Sequence, residues 1–147
     1  MRDMINNKQV VFLGAVTLSG ETPAASSWVD TRGFDACTLV LKTNTVTDAG
    51  TASGFTVTAQ HSDATTASSA AAIVAADSVD GVIALTVTAD ADDNKVIGGI
   101  GYKGSKRYVR LNAVGTTGSD ATVDVYAILN KPHRAETTFV GTAVTAT

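Results

Sequence analysis

The sequence predicts an all-β fold: a single-domain antiparallel β-sandwich, jelly-roll-like, of about eight strands, with an extended arm at each end. Three observations predict it. Runs rich in Val, Thr and Ile recur along the chain and are bounded by Gly, Asp, Asn and Ser. Several of these runs alternate apolar and polar residues with period two, the signature of a half-buried strand. A length of 147 residues suits one domain with a core of its own. The expected division is an N-terminal arm over 1–8, a sandwich over 9–131 and a C-terminal arm over 132–147.

The first strand is expected over Gln9–Val16, where Val10-Val11-Phe12-Leu13 supplies the apolar run. A polar loop and a short strand at Trp28-Val29-Asp30 follow. Ala36–Lys42 is continuously apolar at Leu39-Val40-Leu41, which points to a central position or burial on both faces. Thr43–Gly54 offers little to bury and reads as an exposed loop. Phe55–Gln60 alternates, with Phe55, Val57 and Ala59 on one face. Ala64–Ala76 is Ala-rich but broken by Thr65-Thr66 and Ser68-Ser69, so a helix of a turn or two is expected there.

Val82–Val87 is the next strand. Lys95–Tyr102 carries glycines where a strand must bend or be approached closely. Lys106–Ala113 places Val109, Leu111 and Ala113 opposite Tyr108 and Arg110. Thr122–Leu129 places Val123 and Val125 opposite Asp124 and Tyr126. Pro132 ends that strand. The stretch after it, His133 to Thr147, is β-prone and suits an arm that adds a strand to a neighbour.

The composition leaves little to do chemistry with. There is one Cys (Cys37), two His (His61 and His133) and two Glu (Glu21 and Glu136). A lone Cys excludes an internal disulfide and a Cys-based zinc site, and its place among strand residues predicts a buried, inert thiol. No catalytic residue, cofactor or metal ligand set is expected. Met1–Lys8 carries no targeting segment, and no apolar run is long enough to span a bilayer, so no membrane partner is expected. The chain is expected in the cytosol or in a particle assembled there.

Net charge is −3, unevenly spread. Between Lys42 and Lys95 there is no Lys or Arg, whereas Asp48, Asp63, Asp77, Asp80, Asp90, Asp92 and Asp93 fall there. Lys103, Lys106, Arg107 and Arg110 then cluster. An acidic surface with a basic edge suits charge-complementary docking.

Several motifs fail on inspection. Gly99-Ile100-Gly101-Tyr102-Lys103-Gly104 fits G-x-G-x-x-G, but a dinucleotide site needs a helix next, and a strand pattern follows. A glycine-bent hairpin is the better reading. Asp90, Asp92 and Asn94 occupy the first, third and fifth positions of an EF-hand loop, yet Lys95 replaces the required Gly and Gly101 the required Glu. An acidic turn is favoured. His61-Ser62-Asp63 holds the letters of a hydrolase triad, but neighbours on a strand end point to different faces. The four cations make too small a footprint on an acidic chain for direct nucleic-acid binding. Trp28 reads as a core anchor, or as a sugar platform if exposed.

Three stretches carry a family resemblance. Val29-Asp30-Thr31-Arg32-Gly33-Phe34-Asp35-Ala36 leads into the strand Cys37–Leu41, Phe55–Asp63 ends in Gln60-His61-Ser62-Asp63, and Gly98-Gly99-Ile100-Gly101-Tyr102-Lys103-Gly104-Ser105-Lys106-Arg107-Tyr108-Val109-Arg110-Leu111 forms the third. With Asn130-Lys131-Pro132-His133-Arg134, they resemble the β-sandwich capsid decoration, or cement, proteins of tailed bacteriophages. The pattern departs after Asp63, where Ala64 replaces an expected Gly. The resemblance implies a non-enzymatic virion protein on the outer surface of an icosahedral capsid, assembled in the host cytoplasm. It would lock neighbouring capsomers, with the major capsid protein and further copies of itself as partners. Trimers are the common form, dimers the less common. Arm composition and charge clustering nominate Arg2, Lys8, Lys103, Lys106, Arg107, Arg134, Phe139 and Val140 as assembly contacts.

Overall fold

The computed structural model describes residues 8–132. Two antiparallel sheets pack face to face. The elements are β1 (Lys8–Ser19), β2 (Ala24–Ala25), β3 (Val29–Asp30), β4 (Phe34–Asp48), β5 (Phe55–Ser62), β6 (Ala71–Ala72), β7 (Ala84–Val87), β8 (Val96–Tyr102), β9 (Tyr108–Val114) and β10 (Asp120–Pro132). The first sheet runs β1-β10-β4-β8. In the second, β9 pairs with β5, the short β2 and β3 line the far edge of β9, and β6 and β7 line the far edge of β5. If β2 with β3, and β6 with β7, are each counted as one interrupted strand, the ten described strands become eight. Their order is then first-eighth-third-sixth over second-seventh-fourth-fifth, the two-sheet arrangement of a jelly roll.

Alternation builds the core. Cys37, Leu39, Leu41 and Thr43 of β4, Val123, Val125, Ala127 and Leu129 of β10, and Ile100 of β8 point inward from the first sheet. Phe55, Val57 and Ala59 of β5 and Val109, Leu111 and Ala113 of β9 face them, all buried, as the alternation requires. The Leu39–Leu41 run does mark a central strand, since β4 lies between β10 and β8.

In β1, Leu13 and Val16 are both buried although they stand three residues apart. A regular strand cannot bury both. A bulge between Phe12 and Gly14 absorbs the extra residue, and Gly14 takes a φ of 105°, which other residues rarely adopt.

Two expectations are corrected. Thr43–Gly54 is not all loop: β4 continues to Asp48, because Val46 and Ala49 bury their side chains and Thr43 is fully buried. The Thr43 hydroxyl accepts from the Lys95 amide at 3.0 Å and donates to the Asp92 carbonyl, so its burial leaves no polar group unsatisfied. Ala64–Ala76 holds no α-helix. Two single 3₁₀ turns, Ala67–Ser69 and Ala75–Asp77, flank β6 there, the second running one residue past Ala76. Ser62, Thr66 and Ser69 hydroxyls bond one another and the local backbone there, which competes with helix propagation.

Candidate functional site

The basic edge lies at the hairpin joining β8 to β9. Tyr102, buried at the end of β8, closes it: its hydroxyl accepts from the Lys106 amide at 2.9 Å and lies 3.2 Å from the Lys106 carbonyl and from His61 Nδ1. Burial pushes the Tyr102 phenol up to about 12. A side chain at Gly104 would strike the Tyr102 ring at 2.6 Å, so only glycine fits the turn. No helix follows, and the glycine run is a strand entering a hairpin.

The clustered cations do not form one field. The Arg107 guanidinium grips Asp30 through Nε at 3.0 Å and Nη2 at 2.6 Å, and lies 4.7 Å from the centre of the Tyr108 ring. That hydrogen bonding holds the Asp30 carboxyl below its ordinary value and raises Arg107. Lys106 Nζ pairs with Asp63, whose carboxyl is likewise lowered, chiefly by that hydrogen bond. Arg110 lies 4.3 Å from the Trp28 ring centre and donates from Nε to Gln60 Oε1 at 2.9 Å; desolvation lowers its pKa. Lys103 is exposed and makes no ion pair among the described residues.

Asp30 and Asp63 come from distant stretches of chain, so sequence spacing showed the cations without their partners. Lys8, assigned to the N-terminal arm, opens β1 opposite Asn130. Arg2, Arg134, Phe139, Val140 and, apart from Lys8 and Pro132, the rest of both arms lie outside the described residues.

Trp28 is a correction. It is half-buried on the outside of the second sheet and does not anchor the core, because its neighbours Ser26 and Val29 take the inward positions. The acidic loop also has a structural assignment. Asp90 Oδ1 accepts the Ala49 amide at 2.8 Å, Asp93 Oδ1 accepts the Val46 amide, and Asp92 pairs with Lys95 at 3.0 Å. These carboxylates tie down the end of β4.

His61, Ser62 and Asp63 diverge: to Tyr102, to Ser69 at 2.7 Å, and to Lys106. They line an open cleft of about 320 Å³ with Ala64, Ser69, Ala71 and Lys106. Its hydroxyls and charges already bond within the turn, so no nucleophile faces a base there.

The two outer sheet faces differ. On the second sheet, β5 and β9 present Thr56, Thr58, Gln60, Tyr108, Arg110 and Asn112, the usual polar exterior. On the first sheet, two adjacent rows are largely apolar across the strands: Val10–Ile128–Thr38–Gly101 and Phe12–Tyr126–Val40–Gly99. The Phe12 and Tyr126 ring centres are 5.1 Å apart. This face escaped the sequence reading, although Val10-Val11-Phe12-Leu13 and Tyr126-Ala127-Ile128-Leu129 carried its signal: both runs are apolar on both parities.

Among the described residues no helix is long and apolar enough to cross a membrane. No family model and no curated protein matches the chain. Solved structures do share the fold. The PBSX exported protein XepA superimposes with a TM-score of 0.54 at 12% identity, over 85% of this chain and 38% of XepA. The chain thus spans well under half the length of XepA. The SPBc2 prophage-derived protein YomS superimposes with a TM-score of 0.51 at 12% identity, over 84% of this chain and 92% of YomS. Both neighbours are phage-derived, and what this chain shares with them is its fold.

Proposed function

We propose that this chain is a structural virion protein of a tailed phage, which decorates the outer surface of the icosahedral capsid and bridges capsomers. Its partners are the major capsid protein and further copies of itself, and it carries no catalysis. The observation that carries this reading is the fold: a jelly roll that two phage-derived proteins share over most of this chain. The surface supports it. His61, Ser62 and Asp63 are engaged in turn and strand contacts, while one sheet face carries an apolar band. Many copies, each making modest contacts, would hold a shell by avidity. Mass spectrometry of gradient-purified, DNA-filled particles tests the virion role. Many copies per particle are expected; absence from intact particles would refute it.

A carbohydrate-binding sandwich is a second reading, favoured by Trp28 standing on the polar outer face beside Arg110 and Gln60. A sugar would stack on the indole face opposite Arg110. Glycan-array binding that disappears in Trp28→Ala would establish it.

A further inference from the structure

We infer that the outer face of the β1-β10-β4-β8 sheet is a two-fold interface for a second copy of this chain. The inference does not depend on where the protein is used. An antiparallel sheet normally turns a polar face to water, as the second sheet here does. The first sheet instead sets Val10, Phe12, Ile128, Tyr126 and Val40 side by side on its outer face, in the two rows described above. Gly99 and Gly101 end both rows, and the Thr38 and Val79 side chains already fill the space beside them, within 3.0–3.1 Å of where a Cβ would stand.

Charge selects the occupant. The row on one side of the apolar band is Lys8–Asn130–Ala36; on the other side it is Ala15–Asp124–Lys42. Beyond that, Ser19–Asp120–Asp48 places two carboxylates next to each other. Neither Lys8 nor Asp124 makes an ion pair among the described residues. Lys42 is engaged with Asn44 Oδ1 at 2.7 Å.

Consider a two-fold axis lying across the strands, between the two apolar rows. It lays the Val10–Ile128 row of one copy on the Phe12–Tyr126 row of the other. It brings Lys8 of each copy beside Asp124 of its partner. An isologous interface must complement itself in this way, with an apolar centre and a charged rim. Four rows on four strands cover about 27 Å by 19 Å, or roughly 500 Å² per copy. That is about the minimum for a specific interface, so a weak dimer is expected. The two-fold arrangement corresponds to the dimer, not the trimer, of the family resemblance.

Sedimentation equilibrium of the full chain tests this. The wild type is expected to move from about 15 kDa toward twice that mass as its concentration rises through the micromolar range. Ile128→Lys should abolish the shift with circular dichroism unchanged. Lys8→Glu should weaken association at least about ten-fold, and adding Asp124→Lys should restore it. A wild type that stays monomeric at about 100 μM would overturn the proposal, as it would if the chain's own terminal residues covered the face. So would a closed assembly with an odd number of subunits, association indifferent to Ile128→Lys, or a charge swap that fails to rescue.

Discussion

At the scale of single residues, burial and hydrogen bonding decide what each group does. Cys37 is 1% exposed, and burial pushes its thiol up to about 12. It should therefore ignore a thiol reagent at about pH 8 while the protein is folded and react fully in denaturant; fast labelling of the native state would contradict this. Asp30 titrates below its ordinary value of 3.8 because Arg107 holds its carboxylate. A lowered folded-state value means stability that is present above the unfolded value and lost as pH falls through the folded one. Hence Arg107→Ala should lower the melting temperature slightly at about pH 6, with the deficit shrinking below about pH 3. A deficit that persists in acid would show that Arg107 acts through packing alone. Glycines divide by environment. Gly54, with φ of 65°, would place a Cβ 1.9 Å from the Val87 carbonyl oxygen; Gly81, with φ of 80°, has nothing within 4 Å. Gly54→Ala should cost about 3 kcal/mol or more, and Gly81→Ala only about 1–2 kcal/mol. Chemical denaturation of both measures the gap.

At the scale of elements, the strands were legible where one face is buried and the other wet. Phe55–Gln60 and Lys106–Ala113 show this plainly: Phe55, Val57, Ala59, Val109, Leu111 and Ala113 are the buried set that alternation predicts. The reading failed where local composition and tertiary partners disagree. Thr43 and Thr45 look like loop residues, but the Asp90 and Asp93 carboxylates, more than forty residues away, hold the β4 backbone in line. Trp28 was misplaced because aromaticity alone says nothing of a guanidinium waiting on β9. The basic edge was legible as charge but not as charge already neutralised. Tyr102 shows how one side chain can organise an element. Its hydroxyl fastens the β8–β9 hairpin to the Lys106 backbone. Tyr102→Phe should cost about 1–3 kcal/mol by leaving that turn unsatisfied, and amide exchange should quicken at Lys106 before the rest of the core.

At the scale of the whole molecule, the jelly roll buries its hydrocarbon between two sheets and leaves two unlike exteriors. One is polar and laced with Arg107–Asp30 and Arg110–Gln60 contacts. The other carries Phe12, Tyr126, Ile128, Val10 and Val40 in adjoining rows. The proposed assembly on a phage shell rests on that arrangement together with the fold shared with phage-derived proteins. Electron cryomicroscopy of particles made with and without this protein tests the claim most directly. Difference density on the outer surface of the capsid, bridging capsomers, is expected. Density only at the tail, or two identical reconstructions, would contradict it.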